Sequence, residues 1–372
     1  MLLNGGDCGM KAFLASVLLF CLFTVTCSCV DISAESAILY EPLSDTIIYA
    51  KNIDKRREIA STTKIMTSVV AIENGNTEDM VTVPKSCVGI EGTSMYLREG
   101  EKISLGDLLY GMMLRSGNDA AMTIAYHIGN GNVQKFVDMM NQKAYELGMK
   151  DTSFKNPNGL PAEGHYSTAR DMAKLASYAM KKQMFKEIVS TKSKTVGGRS
   201  IANHNKLLRL YDGANGIKTG FTKAAGRCLV SSAERGGTEL IAVTLKASDD
   251  WNDHIKLFNI GFSEYRFADI INTGDVISQV PVVGGEANSV SAVAAGSSAI
   301  FENNDKAGKI QKRIKIPHFL YAPICKGDII GEIEYTLDGN VIESLEIASS
   351  DTVEILKEEN FIEKLIRFFR RK

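Results

Sequence analysis

The chain has 372 residues, 44% of them hydrophobic, and a formal net charge of -1 from 43 Lys and Arg against 44 Asp and Glu. This is ordinary globular composition, long enough for two domains, and it excludes disordered, collagen-like and coiled-coil chains. Without a basic excess there is no overall field to hold nucleic acid by its phosphates, so any attraction to a membrane or polymer must be local.

In chain order, the first feature is an apolar run over 12–25, preceded by Lys11 and followed by Thr26, Cys27, Ser28 and Cys29. It is short for a bilayer span. A basic start, an apolar middle and small exit residues are the layout of a secretory signal, so 1–30 is expected to direct export. Four of the seven cysteines, Cys8, Cys21, Cys27 and Cys29, fall in this stretch. Cys87, Cys228 and Cys325 are an odd remainder, and Cys228 reads as a buried thiol in an apolar run, so disulfides are not expected to hold the fold.

Residues 37–40 and 46–50 read as two strands joined by a turn. Over 62–74 the spacing predicts a helix, with Ile65, Met66, Val69, Val70 and Ile72 on its apolar face and Gly75 beyond its end, which puts Ser61 in the first turn. Further helices are predicted over 105–114, 120–128, 134–147 and 168–180. The pattern then changes to apolar runs of strand length at 216–220, 227–233 and 240–245, followed by a helix over 251–262. Strands at both ends of a segment with helices between them imply an α/β (α+β) domain, an antiparallel sheet assembled from distant parts of the chain and flanked by helices. From 265 to about 350 there are short valine-rich runs and Gly-containing turns with no convincing helix, which reads as a small all-β domain.

Three short segments could carry chemistry. In Ser61-Thr62-Thr63-Lys64 a hydroxyl and an amine lie one helical turn apart, and a lysine whose pKa is lowered by burial or a nearby cation can activate a serine. Ordinary composition yields about one Ser-x-x-Lys in a chain this long, so the motif alone proves nothing. Ser116-Gly117-Asn118 can relay a proton and hold a substrate amide, although alone it reads better as a helix cap supplied by Asn118 or Asp119. Lys218-Thr219-Gly220 falls in a predicted strand, where lysine and threonine alternate across the faces; both can serve one site only at a twisted or edge position. Alone, it reads as a charged edge strand.

Their order changes the odds. Ser-x-x-Lys, Ser-x-Asn and Lys-Thr-Gly in succession resemble the active-site signature of the penicillin-recognising serine enzymes. The surrounding Ala60-Ser61-Thr62-Thr63-Lys64-Ile65-Met66-Thr67, Ser116-Gly117-Asn118-Asp119-Ala120-Ala121, Asn156-Pro157-Asn158-Gly159-Leu160, Ser167-Thr168-Ala169-Arg170-Asp171-Met172 and Lys218-Thr219-Gly220-Phe221-Thr222 are similar to the low-molecular-mass penicillin-binding proteins that act as D-alanyl-D-alanine carboxypeptidases. The resemblance implies catalytic roles for Ser61 as nucleophile, Lys64 as base, Ser116 as proton relay to the leaving D-alanine, and Asn118 as the group orienting Lys64 and the substrate amide. It implies substrate binding by Lys218, Thr219, Gly220 and Phe221, with the backbone N–H groups of Ser61 and Phe221 as the oxyanion hole. The implied partners are a peptidoglycan stem peptide and beta-lactam antibiotics. His204 stands where some family members carry an arginine between two asparagines. The histidines show no metal-ligand spacing, so neither a metal nor another cofactor is expected.

Two rival readings use the same residues. A class A beta-lactamase would add a Glu-x-x-Leu-Asn element, which is absent between Asn118 and Lys218. A non-catalytic wall-binding protein on the same scaffold would be expected to have lost Ser61, Lys64 or Lys218.

At the C-terminal end, Phe361, Ile362, Leu365, Ile366, Phe368 and Phe369 fill one helical arc, and Glu363, Lys364, Arg367, Arg370 and Arg371 the other. Such a helix is expected to lie in a membrane surface, although packing on its own domain would also satisfy the pattern. The expected organisation is a signal peptide at 1–30, a catalytic domain at 31–264, a small all-β domain at 265–352 and a membrane-associating helix at 353–372. The protein would then be exported and peripheral at the outer face of the cytoplasmic membrane.

Overall fold

The computed structural model describes residues 30–304 and 309–357. The expected signal segment, Val30 aside, and the part of the expected 353–372 helix beyond residue 357 lie outside the described residues; its first residues are not helical, because Val353 and Ile355 bridge to Ile324 and Gly285 and Val353 is buried in the core of the β-domain.

The first unit runs β1 (Ser36–Glu41), β2 (Thr46–Lys51), α1 (Lys64–Asn74), β3 (Met80–Thr82), β4 (Lys102–Ser104), α2 (Leu105–Leu114), α3 (Asn118–Ile128), α4 (Val133–Glu146) and α5 (Ala169–Met180). It continues with α6 (Gln183–Ser190), β5 (Ser193–Val196), β6 (Arg199–Ala202), α7 (Leu207–Leu210), β7 (Ala214–Thr222), β8 (Gly226–Arg235), β9 (Thr238–Ala247) and α8 (Asp250–Glu264). A five-stranded antiparallel sheet in the order β2-β1-β9-β8-β7 forms its centre. The N-terminal hairpin is thus closed onto the C-terminal strands, with Ile38 opposite Val243.

Alternation along these strands divides two cores, because successive side chains point to opposite faces. Ile38, Val230 and Val243 pack with the helices α1 to α6 on one face, while Leu39, Leu229 and Ala242 pack with Leu257 and Phe258 of α8 on the other. With both faces covered, β8 and β9 read as nearly continuous apolar runs. The helix–sheet–helix arrangement is the one expected. Short elements that sequence periodicity did not reveal are the hairpins β3–β4 and β5–β6 and the helices α6 and α7. Strands of three or four residues carry too few alternations to be distinguished from turns.

Two helix starts differ from expectation by two residues, and both bear on the site. The α-helix α1 begins at Lys64, preceded by a 3-10 turn over Ala60–Thr63, so Ser61 lies in that tighter turn. The helix α3 begins at Asn118 with Gly117 as its cap and no side-chain capping bond, which leaves Asn118 free for other work.

The second unit begins at β10 (Tyr265–Ile271), directly after α8, and continues through β11 (Val276–Val283), β12 (Ser289–Ala294), β13 (Ser298–Asn303), β14 (Ile310–Lys315), β15 (Leu320–Tyr321), β16 (Ile329–Leu337) and β17 (Asn340–Ser349). Six strands form one sheet in the order β14-β16-β17-β12-β11-β15, and β10 pairs with β13. Ile271, Val280, Val290, Ile333 and Ile347 lie in its separate core. Cys87 and Cys228 are buried free thiols and Cys325 an exposed one. Among the described residues no helix is long and apolar enough to cross a membrane.

Candidate active site

The turn carrying Ser61 is built by its neighbours. Ala60 adopts a positive φ of 46°, and the Thr62 and Thr63 hydroxyls donate back to the Ile59 and Ala60 carbonyls at 2.6 and 2.8 Å. These bonds tighten the chain into a 3-10 turn, and its last residue leads into α1. Lys64, one turn on, is completely buried. Its Nζ donates to Ser61 Oγ at 2.9 Å, to Asn118 Oδ1 at 2.7 Å and to the Asn158 carbonyl at 2.5 Å. Three acceptors match the three protons of an ammonium, and on losing one the amine can accept the Ser61 proton instead.

The electrostatics favour that loss. Burial holds the Lys64 pKa well below the usual lysine range, the nearby Lys218 charge lowers it further, and Asp119 pulls partly the other way. Asn118 Nδ2 donates to the Glu91 carbonyl at 2.6 Å, which orients the amide so that its oxygen faces Lys64. Asp119 is not a helix cap: its buried carboxylate accepts from the Met95 and Leu97 amides and from Ser94 Oγ, and so pins the adjacent loop.

The edge strand β7 supplies the opposite wall. Lys218 is buried and its Nζ donates to the Thr219 carbonyl at 2.9 Å; burial lowers its pKa to about 7. Lysine and threonine do alternate, so Thr219 faces the cleft while Lys218 lies beneath it, close enough to Lys64 to repel its charge. A Cβ on Gly220 would lie 3.1 Å from both the Ile59 carbonyl and the Ser61 nitrogen, so glycine lets this strand approach the serine turn.

Ser61, Ser116, Thr219, Gly220 and Phe221 line one cleft of about 250 Å³. Ser116 reaches it through a left-handed backbone, φ 66°. Segments far apart in the sequence therefore converge as the motif order implied. His204 also lines this cleft. Burial, then the charges of Lys218 and Arg115, lower its pKa and favour the neutral ring.

Sequence reading missed the remaining wall. Thr93, Arg227, Asp250 and Trp251 also face the cleft, and Arg227 donates from Nε to buried Asp250 at 2.8 Å with its guanidinium 5.8 Å from the Trp251 ring centroid. No local pattern marks Arg227, Asp250 and Trp251, because β8 and the start of α8 meet the cleft only through the sheet, and Thr93 lies in irregular chain between β3 and β4. The Asn158 carbonyl was equally hidden, since a backbone acceptor leaves no residue-type signal. Among the described residues no cluster of His, Cys, Asp and Glu could hold a metal ion.

A serine hydroxyl on a desolvated lysine, beside an edge strand that can receive an extended peptide, is the equipment of a serine-type acyl-transfer enzyme. A family model described as D-alanyl-D-alanine carboxypeptidase matches residues 23–249, and one described as the C-terminal domain of penicillin-binding protein 5 matches 265–355. The chain is 33% identical over 348 residues to the D-alanyl-D-alanine carboxypeptidase DacF of Bacillus subtilis, covering 90% of this chain and 88% of that one. It is 34% identical over 358 residues to DacA of Haemophilus influenzae, covering 90% of each. Among solved structures, penicillin-binding protein 5 of Haemophilus influenzae superposes with a TM-score of 0.76 at 33% identity, covering 87% of this chain and 98% of the other. PBP3 of Streptococcus pneumoniae gives 0.72 at 27%, covering 87% and 100%. The chain belongs to the D-alanyl-D-alanine carboxypeptidase family of serine-type peptidases.

Proposed function

We propose that this enzyme removes the terminal D-alanine from peptidoglycan stem peptides through an acyl-enzyme on Ser61, and that beta-lactams trap the same serine. The observation that carries this reading is the fully buried Lys64 amine 2.9 Å from Ser61 Oγ, with its pKa driven down by desolvation. Neutral Lys64 takes the Ser61 proton as Oγ bonds to the carbonyl carbon between the two D-alanines. The oxyanion is received by the backbone N–H groups of Ser61 and Phe221. The proton passes through Lys64 and Ser116 to the leaving nitrogen as the C–N bond breaks. Asn118 holds Lys64 and the substrate amide, and Gly220 admits the peptide backbone along β7. Lys218 lies behind Thr219, and the two favour the terminal carboxylate. Water then attacks the ester, releasing the shortened peptide and returning the proton to Ser61.

Intact mass after penicillin treatment should show one stoichiometric adduct, mapped by digestion to the peptide containing Ser61. An adduct on another residue overturns the assignment, and rapid continuous hydrolysis of a chromogenic cephalosporin would mark a lactamase instead.

The pH dependence of acylation follows from the two lysines. Lys64 is a base only when neutral, so the rate rises with pH through its pKa. In Lys218→Met a neighbouring positive charge is gone, which eases protonation of Lys64 and raises its pKa. The acid limb of the acylation profile should therefore move to higher pH. Stopped-flow acylation with a fluorescent penicillin across pH measures this, and an unmoved limb would mean the amines are not coupled.

We place the signal segment at 1–30, the catalytic domain at 31–264, the small β-domain from 265 through its last bridged residues at 353–355, and a surface-lying amphipathic helix within the sequence after residue 357, holding the exported enzyme peripherally at the outer face of the cytoplasmic membrane. The end of α8 at Glu264, followed at once by β10, supports the central boundary. The apolar and basic arcs of the terminal sequence support the last segment.

A further inference from the structure

His165 is buried and lies away from the cleft lining, yet it is tied to the peptide plane that carries the nucleophile. The Lys155 amide donates to its Nδ1 at 3.0 Å. A ring nitrogen that accepts carries no proton, so the neutral ring holds its proton on Nε2. Burial maintains that neutral state, with the pKa lowered to about 4. Nε2 lies 2.8 Å from Thr63 Oγ1 and so donates to it. The Thr63 hydroxyl, its lone pair occupied, donates to the Ala60 carbonyl at 2.8 Å.

The direction of this chain matters because of where it ends. The Ala60 carbonyl and the Ser61 N–H belong to one planar peptide and point in opposite directions. Holding the carbonyl inward turns the N–H outward. Ala60 needs such a hold, since its positive φ is unfavourable for a residue with a Cβ. Gly159 allows the neighbouring loop to press on the same carbonyl: a Cβ there would lie 1.9 Å from Ala60 O.

We propose that His165 is a positioning residue that, through Thr63 and the Ala60 carbonyl, aims the Ser61 N–H into the oxyanion hole. This rests on the oxyanion role given to that N–H above. The same loop also supplies the Asn158 carbonyl to Lys64, so the segment 155–165 braces both the base and the oxyanion donor.

The test compares Thr63→Val, Thr63→Ser, His165→Phe and the double variant Thr63→Val/His165→Phe, in the whole enzyme. Acylation by a fluorescent penicillin, kcat and KM for a D-alanyl-D-alanine peptide, affinity for a boronic acid and thermal melting are measured for each. Thr63→Val and His165→Phe are each expected to acylate about tenfold to a hundredfold more slowly, with kcat falling more than KM changes and boronic acid affinity falling in step. Thr63→Ser, which keeps the hydroxyl, should stay near wild type. The double variant should be no slower than the slower single one, because both break one relay. Wild-type acylation in Thr63→Val, even with a lowered melting temperature, overturns the relay, as do multiplicative losses in the double variant. If His165→Phe does not fold, the Thr63→Val and Thr63→Ser pair decides alone. Failure of the wild-type enzyme to label at Ser61 would instead sink the proposed function itself.

Discussion

Ser61→Ala is expected to lose both penicillin labelling and D-alanine release, a fall on the order of 10⁴-fold or more, because the covalent step has no other atom to form its bond. The fold should survive the change. The side-chain hydrogen bond removed is the one from Lys64, whose amine keeps Asn118 Oδ1 and the Asn158 carbonyl as acceptors. Ser61 lies in a turn whose geometry depends on the Thr62 and Thr63 hydroxyls rather than its own. Melting within a few degrees of wild type beside a dead enzyme is therefore the signature sought. Steady-state D-alanine release and thermal melting read the two halves. An alanine variant that matches wild type in release would favour the non-catalytic scaffold and remove the basis of the acyl-enzyme mechanism.

Lys64→Met should slow acylation by about 10²- to 10⁴-fold, the range for loss of a positioned proton acceptor. Methionine fills a similar volume without an amine, so the variant separates proton transfer from packing. Its stability is set by opposing effects. Two acceptors, Asn118 Oδ1 and the Asn158 carbonyl, lose their donor at about 1–3 kcal/mol for each one left unsatisfied, while the cost of burying an ionisable amine disappears. A folded protein with a residual, nearly pH-independent acylation rate is expected, since the group whose ionisation shapes the acid limb is gone. Stopped-flow acylation over a pH series checks this. A loss of less than about tenfold would place the base elsewhere, and His204, a cleft-lining side chain whose pKa burial lowers, would be the next to test.

Much of the architecture was legible because local periodicity reports local structure. The apolar face Ile65, Met66, Val69 and Val70 marked α1, and the strand lengths of β7, β8 and β9 were visible as apolar runs between glycine-rich turns. Ser61, Lys64, Ser116, Asn118 and the Lys218-Thr219-Gly220 strand were found through their order along the chain, since each motif by itself had a bland structural reading. Asn118 shows the limit of local reasoning. Its residue type and position suit a helix cap, but a glycine takes that place and the carboxamide turns to a lysine 54 positions away in sequence.

By itself, then, the sequence determined which residue types recur at helical and strand spacing, the succession of three motifs, and through it the family. Tertiary structure alone decided that β1 closes onto β9, that Arg227 and Trp251 join the cleft, that Lys64 is desolvated beside a second amine, and that His165 is wired to the turn of Ser61. The reason is physical. Periodicity depends on neighbours along the chain, whereas a pKa, a tautomer or a strand partner depends on which distant atoms exclude water and supply charge or hydrogen bonds.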